Sequence, residues 1–168
     1  MLTDAIKLTL FPAMMAFAAS SDLLTMTIAN RVSLVLVGGF VVLAMLVGLS
    51  GADLLSHAGA AAAVLAVAFF CFACGWIGGG DAKLAAATAL WLGFGHLFDY
   101  FVYASLFGGA LTLLIIQFRH LPLPQALVGR DWAERLHRQG GGVPYGVALA
   151  AAALLVYPQT EWMTALGL

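Results

Sequence analysis

Residues 58–77 form a run of twenty positions without one charged side chain. A helix that crosses a bilayer needs about 20 such residues, and no other feature limits the fold of this chain so tightly. Comparable runs occupy 5–21, 32–49, 84–97, 101–118 and 143–157. They are continuously apolar and rich in Ala, Leu and Val, whereas membrane strands alternate apolar and polar positions. Only a helix satisfies every backbone group within such a run. Charged residues make up 9% of the 168, against about 25% in soluble domains, which excludes a soluble surface. The expected fold is all-α: an integral membrane protein of six transmembrane helices, in a single domain over 1–168. Asp4 and Lys7 lie at the start of the first run and no A-x-A-like site closes it, so it reads as a retained helix rather than a leader. The net charge of −1 offers no footprint for nucleic acid.

Basic residues orient the six runs. The connections after the first, third and fifth runs share one face, and they hold Arg31, Lys83, Arg119, Arg130, Arg135 and Arg138. The other face holds only Lys7. Cytoplasmic loops carry the Lys/Arg excess, so both termini are expected outside the cytoplasm, and 119–142 is expected to be a cytoplasmic basic loop. Within that loop, 127–138 could form a surface helix with Trp132 and Leu136 towards lipid. The loop is expected to set topology and to meet anionic lipid. Phe98-Asp99-Tyr100 is the polar break between the fourth and fifth runs, where a tight hairpin is expected. The alanine stretches 58–63, 85–87 and 148–153 read as small residues that let helices approach closely. No internal repeat is evident.

The chemistry sits at two helix ends. Gly78-Gly79-Gly80-Asp81-Ala82-Lys83 follows the third run, and Asp22 closes the first. Carboxylates at a membrane boundary are costly and mark candidate sites. The orientation puts Asp22 and Asp81 on the cytoplasmic side at matched depth. Either one alone could be an interfacial polar residue or a helix cap. As a pair, one can keep a proton while the other activates water, the arrangement of an aspartic protease dyad. The three glycines leave bare backbone that an extended substrate could approach. Asp4, Asp53, Asp99 and Glu161 fall on the opposite side, and Asp131 and Glu134 read as solvated or paired with neighbouring arginines. Ser20 and Ser21 lack a base at a useful spacing. His57, His96, His120 and His137 show no metal spacing, and Cys71 with Cys74 reads as helix packing. Neither a metal nor a cofactor is expected.

With Gly78-Gly79-Gly80-Asp81 extended through Ala82-Lys83-Leu84, the chain resembles the type IV prepilin peptidases, membrane aspartic proteases with a GxGD motif. The first-helix aspartate of that family precedes a short loop ending in I-P-N. Here the loop runs from Asp22 to Ile28-Ala29-Asn30, with Ala29 in place of the proline. Pro144-Tyr145-Gly146 resembles the P-Y-G that opens the family's last helix. The resemblance implies Asp22 and Asp81 as catalytic residues. Gly78, Gly79, Gly80, Lys83 and Asn30 would shape the loops around them. It implies prepilin or pseudopilin substrates, a bacterial cytoplasmic (inner) membrane location and a basic leader cut at the cytoplasmic face. No cytoplasmic insert with paired cysteines is present. The chain is therefore similar to the short form of tight-adherence (Flp pilus) systems, and methyltransferase activity is not expected. A small ion- or proton-coupled transporter, or a non-catalytic membrane subunit of a secretion system, is the alternative reading.

Overall fold

The computed structural model describes residues 2–164, and all the regular structure among them is helical. The apolar runs become α1 (Leu2–Thr25), α2 (Asn30–Val47), α3 (Gly51–Ala73), α4 (Gly79–Leu92) and α5 (Leu97–His120), then, after the short α6 (Asp131–His137), α7 (Tyr145–Val156). A single turn, α8 (Glu161–Thr164), follows. Four helices, α1, α2, α3 and α5 with the 3-10 turn before it, are long and apolar enough to cross a membrane. The protein is an all-helical membrane protein. The other two expected spans are shorter. α4 has 14 residues and α7 has 12, about 21 and 18 Å at 1.5 Å per residue.

These two short helices are the middle of the bundle. α4 packs against α2, α3 and α7, and α7 packs against α1, α4 and α5. Every residue of α4 from Leu84 to Leu92 is buried, the pattern of a helix enclosed on all sides. Ala85, Ala86, Ala87 and Ala89 on α4, with Ala148, Ala150, Ala152 and Ala153 on α7, are the buried small residues that let neighbours close in. The alanines of α3 behave differently. Ala60 is buried and Ala61 packs against the core where α3 meets α4, while Ala58, Ala62 and Ala63 are exposed, so only one face of that stretch is a packing face.

An aromatic cluster clamps the end of the bundle remote from the glycine run. Trp91 Nε1–H donates to Leu36 O at 2.9 Å, and Trp162 Nε1–H donates to Trp91 O at 2.8 Å. Tyr157 O–H donates to Lys7 O at 2.9 Å, and its ring stacks on Phe11 with centroids 4.4 Å apart. Trp91 is fully buried. Trp91→Ala is expected to cost roughly 3–5 kcal/mol, as large-to-small core changes do. Melting in detergent followed by circular dichroism should show a lower Tm; an unchanged Tm would mean the cluster does not hold the fold.

Several boundaries differ from the sequence expectation. The break between the fourth and fifth runs falls at Gly93, not at Asp99. Gly93 adopts φ 66°, a left-handed value that glycine reaches without strain, and a side chain there would meet the His57 ring. Asp99 lies in the first turn of α5, where a negative charge complements the helix dipole. α3 starts at Gly51 rather than near 58 because Ser50 caps it: Ser50 Oγ accepts from the Asp53 N–H at 3.2 Å. Of the expected surface helix 127–138 only Asp131–His137 is α-helical, and Leu136 is buried while Trp132 is half-buried. Leu136 therefore points into the protein, against the expectation that it faces lipid. Glu134 is exposed, and its Oε1 accepts the Gly129 N–H at 2.8 Å.

Candidate active site

α1 continues one turn beyond the expected end of its run, so Asp22 lies within the helix, only 5% exposed. The loop 26–29 after it is short and tightly tied. Ser21 Oγ donates to Thr27 O at 2.8 Å, and Thr25 Oγ1 donates to Ser21 O at 2.7 Å. Met26 takes a positive φ of 55° to turn the chain. The open carbonyl end of α1 needs donors, and Arg135 supplies one from the basic loop: its guanidinium donates to Leu24 O at 2.8 Å. Arg119 is spent similarly, on Leu136 O at 2.8 Å and Gly142 O at 2.7 Å. These two arginines hold the basic loop against the helix ends.

Asp81 sits in the first turn of α4. Each preceding glycine is pressed by a neighbour. A Cβ on Gly78 would lie 2.8 Å from Asp81 Oδ2, one on Gly79 3.2 Å from the Phe72 ring, and one on Gly80 3.2 Å from Ile28 Cβ. The bare backbone thus lets the carboxylate fold back over Gly78 and lets the loop after α1 pass against Gly80. Asp81 Oδ1 is buried and has no hydrogen-bond partner.

Asp22 is held from a third direction. The Gly146 N–H, at the start of α7, donates to Asp22 Oδ2 at 2.7 Å. The first amides of a helix lack intrahelical partners and favour an anion. Asp22 and Asp81 then line one cavity of about 1140 Å³, with Arg135 and Arg138 also on its wall. Two carboxylates facing a shared cavity can share a proton and orient water between them.

The sequence profile of the type IV leader peptidase family matches residues 9–113, a stretch that holds both aspartates. The chain belongs to the type IV leader peptidase family. No curated protein and no solved structure matches it. It is therefore a membrane-embedded peptidase.

In this leader peptidase the expected site residues divide into two groups. Asp22, Asp81 and Gly78 line the cavity, while Gly79 and Gly80 back it against Phe72 and Ile28. Lys83 and Asn30 are exposed and face away from it, lining a separate groove. Lys83 Nζ donates to Asn30 Oδ1 at 2.8 Å, which ties α4 to the start of α2. Lys83→Met is expected to weaken this exposed tether by about 1 kcal/mol or less and to lower leader cleavage less than tenfold. A loss of a hundredfold in a quantitative cleavage assay would give Lys83 a role at the reacting atoms instead. Gly146 is the residue that sequence reasoning missed. Its signal was present in Pro144-Tyr145-Gly146, which read only as the opening of the last helix.

Proposed function

We propose that this leader peptidase is an aspartic endopeptidase that removes the basic leader of type IV prepilins or pseudopilins, with Asp22 and Asp81 as its dyad. The observation that carries the reading is that two carboxylates from separate helices line one cavity. One of them is fixed by the Gly146 N–H and the other has an unpartnered oxygen. In the proposed reaction the ionised aspartate takes a proton from water as the water oxygen attacks the scissile carbonyl carbon. The protonated aspartate hydrogen-bonds the carbonyl oxygen and gives up its proton as charge develops there. Collapse of the tetrahedral intermediate breaks the C–N bond, and the leaving nitrogen is protonated by the dyad.

In this reading α4 and α7 complete six spans, both termini lie outside the cytoplasm, and the dyad faces the cytoplasm of a bacterial inner membrane. The sorting of six basic residues against one supports that orientation. The substrate class of the tight-adherence short form fits the chain's compact loops, and no methylation step is proposed. The transporter alternative is disfavoured by membership of a peptidase family and by aspartates at helix ends, since transporter sites lie near the bilayer midplane.

Purified protein in lipid nanodiscs, mixed with a prepilin precursor, should yield one cut between leader and apolar helix, read by product mass. A precursor left intact, or cut inside the apolar helix, would overturn the reading.

A further inference from the structure

We propose that the substrate's apolar helix seats along α3 in the groove between α3 and α5, entering sideways from the lipid, with its scissile end at Asp22 and Asp81. The proposal rests on the peptidase reading and adds the substrate's path. The cavity does not stop at the carboxylates. On α3 its wall continues from Cys71 back to Ala63, and Phe101 of α5 and Leu149 of α7 form other parts of it. Eight residues of helix correspond to about 12 Å of depth.

Three features of this groove favour a helix as its occupant. First, polarity is sorted along it. The charged side chains on its wall, Asp22, Asp81, Arg135 and Arg138, come from helix ends and the basic loop, while α3 and α5 contribute only apolar or sulfhydryl side chains. An occupant must therefore be apolar in its body and reactive at its end. Second, the groove is open to the side. α3 and α5 share no extended packing, and Val67, which lines the groove, is 66% exposed. Ala63, exposed on α3, also lines this open side. Third, the size fits. The cavity, about 1140 Å³, is on the scale of a helix segment about ten residues and 15 Å long.

Cys71 lines the groove and is half-buried, so it is a native probe of this path. The test uses the full chain carrying Cys74→Ala and Asp81→Asn in membranes, with a full-length precursor bearing single cysteines along its apolar helix. A short bifunctional maleimide should cross-link Cys71 to precursor positions on one helical face, three or four residues apart, within about ten residues of the cut. Leu65→Cys, in a chain with Cys71→Ala and Cys74→Ala, lines the other groove of α3 and should give at least tenfold less. Equal yields from both positions, yields without helical spacing, or none from Cys71 because lipid fills the groove would each overturn the proposal. If Asp81→Asn still cleaved the precursor, the dyad would fail while the cross-linking pattern remained readable.

Discussion

Asp81→Asn is expected to lower precursor cleavage by about 10³-fold or more while the protein folds and inserts as before. Asparagine keeps the size of the side chain but can neither take a proton from water nor deliver one, and proton transfer by a positioned group is worth about 10²–10⁴-fold on its own. The same loss is expected for Asp22→Asn. The amide oxygen of that asparagine can still accept the Gly146 N–H that Asp22 Oδ2 accepts at 2.7 Å, so the start of α7 should stay in place. Cleavage of a co-expressed precursor, followed by immunoblot and by rate measurements on purified protein, reads the effect. An intact Tm beside the lost rate would separate chemistry from folding.

Gly146→Ala is expected to be the most damaging change outside the two aspartates. The added Cβ would lie 2.8 Å from Asp22 Oδ2 and 3.1 Å from Asp22 Cβ, and it would also press on Ile28. The Ile28 contact is with the end of its side chain, which can turn aside, but Asp22 is inside a helix and 5% exposed, and its Cβ cannot move without the helix. The start of α7 must retreat, or Asp22 must swing away and lose its amide donor. A displacement of about 1 Å at reacting groups can cost roughly a hundredfold in rate, and overpacking costs about 1–3 kcal/mol in stability. A fall of about a hundredfold in kcat with a modest fall in Tm is the expected result. Gly109→Ala serves as the control, because an added Cβ there meets nothing within 4 Å. Similar loss from both substitutions would mean that the contact with Asp22 is not what matters.

The helices were legible because a membrane imposes their length and forbids other structure, so each apolar run could be read with no knowledge of its neighbours. The dyad candidates were legible because carboxylates are few and costly at such depth. What escaped depended on contacts between distant residues. The turn between α4 and α5 was sought at the polar Asp99, yet it is made by Gly93, whose φ and proximity to His57 are tertiary facts. The partner of Asp22 is an amide 124 residues away, and a backbone donor leaves no mark on residue type. The alanines of α3 read as packing residues. Only their neighbours reveal that Ala58, Ala62 and Ala63 remain open.

The central claim is that Asp22 and Asp81 act as one unit, and a double-mutant comparison tests it most directly. Groups that work as a unit are non-additive: removing the second costs little once the first is gone. Cleavage rates of Asp22→Asn, Asp81→Asn and the doubly substituted protein, measured on one precursor in nanodiscs, should all fall to the same residual level. A single variant that keeps more than about a tenth of the wild-type rate, or a double variant whose loss is the product of two partial losses, would contradict the dyad.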